Sequence, residues 1–355
     1  MNKIISDRGG YDSFVDLLKG IGISLVVIGH SGFPYRNIIY LFHMALFFIV
    51  SGYCYREKEI SMRNWVRKKI KSLWFPNFVS VLVVSLMADA LLSLHIVSAE
   101  VCAPFTLKNF VLDIIKAFLF GGGRQLLGAN WFLRTLFFGL LLYELTNRLL
   151  TRLSINKWML RTVICLFFLT AGWLLTGQLG HGMYFNVLSV PILLEIGRGI
   201  KNSNLINRYR NMKYSTAYGL VFLTGLVVLR KFGSITMNYN VIVNPPFFLL
   251  CSMLGFFLCV SIGGLIFKFG GKLKVFTAYL GKNSLVIMLL HFVSFKVVTF
   301  LQVVLFGDSI EMLTSYPVYV SSNGWWVVYS AAGIGIPSLV ILLWEKLKTR
   351  LVKTR

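Results

Sequence analysis

Acidic side chains are scarce in this chain. Against 36 Lys and Arg stand only 13 Asp and Glu, giving 355 residues a formal net charge of +23. In a soluble protein that imbalance would suggest a nucleic-acid partner. Here the basic residues crowd into particular loops between apolar runs, so the membrane accounts for them and no nucleic acid is expected. Charged residues make up 14% of the chain, hydrophobic ones 56%, and the mean hydropathy is +0.72. That composition excludes an ordinary soluble domain. Repeated apolar runs of about 20 residues read as transmembrane helices and are far too long for barrel strands. The five cysteines (Cys54, Cys102, Cys165, Cys251 and Cys259) lack metal-ligand spacing and mostly lie in apolar runs. Neither a disulfide framework nor a metal site is expected, and they read as packing residues. A Gly-rich phosphate loop, a zinc spacing and a nucleophile elbow are all absent, so no Ser–His–Asp arrangement is legible. There is no low-complexity tract, long linker or evident internal repeat, which weakens an inverted-repeat transporter. The N-terminal stretch carries Asp7, Arg8 and Asp12, with no early apolar core and no small-residue cleavage site. The first helix itself is therefore expected to act as the insertion signal.

The hydropathy pattern predicts an all-α polytopic membrane protein of about ten spans, near 13–33, 38–55, 73–96, 129–147, 162–180, 184–200, 214–230, 245–267, 278–300 and 325–345. With the N-terminus in the cytoplasm, the inner loops 56–71, 148–161, 198–213 and 268–274 and the tail 346–355 hold most of the Lys and Arg. The outer segments keep only Arg36, Lys108, Lys116, Arg124, Arg230 and Lys231. The positive-inside rule then puts both termini in the cytoplasm. The segment 107–120 is amphipathic, carries Lys108, Asp113 and Lys116, and is too short and too charged to cross. It reads as an interfacial or re-entrant helix on the outer face. Trp131, Trp325 and Trp326 fall at outer boundaries, where aromatic belts form.

His30 follows Lys19 by eleven residues inside the apolar segment 15–31. Eleven residues are almost three helical turns, so the two side chains share a face about 16 Å apart along the axis. Ionisable groups placed in lipid usually line a cavity and carry function. His43 and His291 lie in two other apolar segments, and the expected topology puts all three imidazoles in the outer half of the bilayer. They are candidates for one shared pocket, although each could simply hydrogen-bond a neighbouring helix. Lys19 could snorkel to the headgroups or pair with Asp16. Arg63, Arg67, Lys68, Lys69 and Lys71, just before Trp74-Phe75-Pro76, form a second cluster. Positive-inside bias accounts for much of it, yet such density beside a span also suits a polyphosphate ligand. Among the remaining intramembrane polar groups (Arg134, Glu144, Glu195, Lys282 and Lys296), Arg134 is nearest the level of the expected outer pocket. Glu195 and Arg198 share a face at i,i+3 and are expected to pair.

Several stretches resemble the integral-membrane acyltransferase-3 proteins, particularly a branch similar to fucose 4-O-acetylases. They are DLLKGIGI from Asp16, VVIGHS from Val26, IYLFHMALFF from Ile39, SGY from Ser51, RKKIK from Arg67 with Pro76, NWFL from Asn130, and LGKNSL from Leu280 with LLH ending at His291. The family commonly shows Arg, ten residues, then His on the first helix; this chain has Lys19 there, which keeps the charge and loses the planar fork. Members often carry an appended extracytoplasmic hydrolase-like domain. The expectation here is a single transmembrane domain over 1–355 with no appended soluble domain.

The resemblance implies an acyl-CoA donor, usually acetyl-CoA, entering from the cytoplasm as co-substrate, with no permanently bound cofactor. It also implies an acceptor hydroxyl on a cell-surface glycan or its lipid-linked precursor, and a multi-pass protein of the bacterial inner membrane in contact with its lipid. On that reading the CoA phosphates meet Arg67, Lys68, Lys69 and Lys71 with Lys19 nearby, and Trp131, Arg134, Asn283 and Ser284 are candidate substrate-binding residues. His30 is the candidate general base, with His43 and His291 as further catalytic candidates that stabilise the oxyanion or hold the acceptor. The rival expectation is a proton-coupled transporter of a sugar or small organic anion, with the histidines as a relay.

Overall fold

Every regular element is helical in the computed structural model, which describes residues 13–57, 60–100, 102–120, 125–151, 157–210 and 215–353. The only β-pairing among them is an isolated bridge between Thr236 and Val241. Eight helices are long and apolar enough to span a membrane: Ser13–His30, Arg36–Tyr53, Met62–Leu86, Lys157–Leu179, Gly182–Asn202, Pro245–Phe269, Ser284–Phe306 and Trp325–Leu351. This is an all-α polytopic membrane fold. The other two expected spans correspond to Trp131–Thr151, a 21-residue helix carrying Arg134, Glu144 and Arg148, and to the shorter apolar helix Ser215–Leu229.

Some boundaries differ from the hydropathy reading. The expected span 278–300 is two helices, Gly271–Lys282 and Ser284–Phe306. The polar trio Lys282-Asn283-Ser284 marks the break. Asn283 caps the first of these helices, and its amide Nδ2 donates to the Tyr279 carbonyl at 3.0 Å. The expected span 73–96 begins earlier. Ser61 caps a helix Met62–Lys69 that continues through a π-turn, Ile70–Trp74, into Phe75–Leu86. Pro76 supplies the cause, because it has no N–H for the Ser72 carbonyl and the ladder widens around the loss.

The chain divides into two compact units. The first comprises Met1–Val26, Tyr35–Glu57 and Gly139–Ser284. Its helices meet through glycines, as lipid-embedded helices do when close backbone approach replaces the hydrophobic drive. A Cβ on Gly197 would lie 1.9 Å from the Ile49 carbonyl oxygen, and one on Gly52 would lie 2.1 Å from that of Leu194. The same reciprocity joins the first helix to Gly271–Lys282: a Cβ on Gly20 would meet the Thr277 oxygen at 1.9 Å. Asn240, in the left-handed region at φ 53°, sends its amide to the Gly172 carbonyl and the Thr176 hydroxyl, both at 2.9 Å.

The second unit comprises Val27–Pro34, Lys58–Phe138 and Leu285–Arg355. Here the helix Leu107–Phe118 packs on Phe75–Leu86 with its polarity reversed from that of a soluble helix. It buries Asp113, which accepts a 2.6 Å hydrogen bond from Ser85, and exposes Leu107, Ile115 and Phe118. The first helix stops at Gly32, whose φ of +82° suits only glycine and whose missing Cβ makes room for Ser321. The loop after Phe306 is pinned from below. Lys296 Nζ donates to the carbonyls of Leu313 and Ser315 at 2.7 and 2.8 Å, and Gln302 Nε2 donates to that of Val320 at 2.8 Å.

Candidate active site

Two of the three histidines singled out in the sequence meet in the second unit. The His30 and His291 rings stack with centroids 5.5 Å apart and an interplanar angle of 27°. His30 ends the first helix and is half-buried; His291 lies in Ser284–Phe306 and is fully buried. Phe292 lies beside both, 5.0 Å from His30 and 4.0 Å from His291, and carries Tyr316 against its own ring at 5.0 Å. Ser330 Oγ donates to Ser31 Oγ at 3.0 Å and ties the last helix to the end of the first.

Hydrogen bonding sets the chemistry of His291. Its Nδ1 lies 2.7 Å from the Met288 carbonyl oxygen. A carbonyl only accepts, so Nδ1 carries the proton. Nε2 then holds a lone pair, and it is buried without a hydrogen-bond partner. Most buried polar atoms are paired, and an unpaired one needs a reason. Beside a half-exposed second imidazole, the arrangement offers an acceptor for a hydroxyl proton in a water-poor, aromatic setting.

His43 belongs to the first unit. It is 6% exposed, its Nδ1 lies 2.9 Å from the Ile39 carbonyl, and Tyr40 packs on its ring. Lys19, Asn283 and Ser284 are likewise in the first unit, each half-buried. Lys19 and His30 sit on one unbroken helix, Ser13–His30. The basic cluster lies in the second unit on Met62–Lys69 and the π-turn behind it. Arg67, Lys68 and Lys71 are exposed, while Lys69 is half-buried with its ammonium over the Trp65 ring at 5.5 Å. Trp131 and Arg134 open the helix Trp131–Thr151 and are half-buried. Among these candidates, direct ring contact joins His30 and His291.

The first unit holds a polar cluster that the sequence reading paired differently. Glu195 does not take Arg198, as the i,i+3 spacing suggested. Arg161 grips it with two N–H donors, Nε at 2.6 Å and an Nη at 2.9 Å, and the Tyr143 hydroxyl donates to it as well. Arg161 had read as a loop cation, yet it lies one turn into Lys157–Leu179 with its side chain 4% exposed. A buried carboxylate needs a fork-shaped partner that reaches it head-on, which spacing along one helix cannot reveal. Arg198 instead bonds Glu57 and the Asn147 side-chain oxygen, and Arg148 pairs with Glu144 at 2.7 Å. Partial burial pushes the Glu57 carboxyl up, but the Arg198 guanidinium outweighs it and holds the group below its ordinary value. Tyr143, Phe292 and Tyr316 carried no signal of their own in the sequence. Among the described residues no group of three or more His, Cys, Asp or Glu could hold a metal.

A polytopic helical membrane protein with a stacked imidazole pair is the class these features define. The family model described as an acyltransferase domain, acyltransferase 3, matches residues 12–344. The chain belongs to that family and is an integral, multi-pass membrane acyltransferase. No curated protein and no solved structure matches it.

Proposed function

We propose that the protein is an O-acetyltransferase that takes acetyl from cytoplasmic acetyl-CoA and delivers it to a hydroxyl of a cell-surface or lipid-linked glycan. We place it in the bacterial inner membrane, with both termini cytoplasmic, and nearest to the fucose 4-O-acetylase-like branch. The observation that carries the reading is the stacked His30–His291 pair, with the unpartnered Nε2 of His291 beside a half-exposed His30.

In this reading His30 is the general base. It accepts the proton of the acceptor hydroxyl as the oxygen attacks the thioester carbon. The C–S bond breaks, and CoA leaves as a thiolate that takes a proton. His291 receives the acceptor or steadies the imidazolium through its free Nε2. The exposed cations Arg67, Lys68 and Lys71 suit the CoA phosphates, and Lys69 adds charge beside them. Family membership favours transfer chemistry, and no observation favours the transporter alternative. The test is binding and turnover by the purified protein. Acetyl-CoA binding competed by free CoA, together with an acetyl-sized mass increase on surface glycan that depends on the gene, supports the reading. Glycan of unchanged mass in the presence of the expressed protein removes the glycan acceptor.

A further inference from the structure

The first unit contains a cavity of about 540 Å³ that the transfer chemistry does not use. Glu57, Lys157, Trp158, Arg161, Arg198 and Asn202 are among its lining residues. Its charge is lopsided. Three cations line it with one carboxylate, Glu57, which is half-exposed at 51%; Arg161 is matched by the buried Glu195 and Arg198 by Glu57, which leaves Lys157 in excess.

The cations differ in what they can still bind. Each of the three Arg161 nitrogens already donates, two to Glu195 and one to Asn147. Arg198 gives one nitrogen to Asn147 at 3.2 Å and another to the exposed Glu57. Lys157 is exposed and has no partner among the described residues. It is also the first described residue of the 23-residue helix Lys157–Leu179. Glu57 thus stands where an incoming anion would stand, holding the one guanidinium that an anion could take over.

The surroundings indicate the source of the anion. On the same helix Trp158 is 60%, Met159 58%, Val163 56% and Phe167 66% exposed. Trp158 itself lines the pocket and is exposed, and the apolar stripe Met159, Val163, Phe167 runs along another side of the same helix, so acyl chains can lie against the helix below a headgroup with the Trp at the boundary. We propose that this cavity binds the phosphate of a membrane phospholipid headgroup, with Lys157 and Arg198 as donors and Glu57 as the carboxylate that the phosphate displaces.

The experiment is thermal melting of the purified full chain in a phosphate-free detergent. It is titrated separately with phosphatidylglycerol, with diacylglycerol of the same chains, with inorganic phosphate and with CoA. Phosphatidylglycerol should raise the melting temperature and diacylglycerol should not. Lys157→Gln, at an exposed position where folding is not at stake, should weaken the apparent affinity about tenfold, and Arg198→Gln at least as much. Glu57→Gln should strengthen binding, because it removes the competitor. Equal effects of diacylglycerol and phosphatidylglycerol, a response to soluble phosphate or CoA alone, wild-type affinity in Lys157→Gln, or weaker binding in Glu57→Gln would each overturn the proposal.

Discussion

Gly281 lies against the Asp16 carbonyl so closely that a Cβ there would sit 1.9 Å from the oxygen. With the matching contact of Gly20 on Thr277, this fixes the first helix, the one that ends in His30, against Gly271–Lys282. Gly281→Ala must therefore push two backbones apart, at a cost of about 3 kcal/mol or more. Gly264→Ala is the comparison, since a Cβ there meets nothing within 4 Å and the helix gains about 0.5–1 kcal/mol. Thermal melts in one detergent should show the first variant well below wild type and the second at or above it.

Arg161 and Glu195 are buried together, and removing one leaves the other as an uncompensated charge. Arg161→Met should cost about 3–5 kcal/mol, while the double replacement Arg161→Met, Glu195→Met should recover most of the loss. A double-mutant cycle on melting temperature checks this. Equal destabilisation in the single and double variants would contradict it.

Lys296→Met would strand the carbonyls of Leu313 and Ser315, each at a cost of about 1–3 kcal/mol. That loop carries Tyr316 against Phe292, the ring shared by the two histidines. Hydrogen exchange across 310–317 should quicken, and acetyl transfer should slow at normal protein levels.

The Glu57–Arg198 contact gives a small pH signature. The Glu57 carboxyl is held below its ordinary 4.5, so its contribution is complete above that pH and fades as the pH falls through the lowered value. The half-exposed carboxylate limits the effect to about 1 kcal/mol or less. The melting difference between wild type and Glu57→Gln in lipid-free detergent should be largest near neutral pH and vanish in acid.

The helical membrane class was legible because lipid demands apolar runs that hydropathy reads directly. The histidines were visible for the opposite reason, since a polar ring in such a run stands out. Their grouping was less so. His30 and His291 meet although 261 positions separate them, while His43 turns to its own helix carbonyl in the other unit. Arg161 read as a loop cation because its neighbours are basic, and only the fold shows the buried Glu195 that requires it. The break at Asn283 was hidden by averaging, since one polar trio barely lowers the hydropathy of a long window.

The most direct test of the central claim is acetyl transfer to glycan by membranes carrying His30→Ala, matched to wild type for protein level and acetyl-CoA binding. The account predicts a loss of about 10²–10⁴-fold in turnover with donor binding retained. Turnover within severalfold of wild type would contradict it.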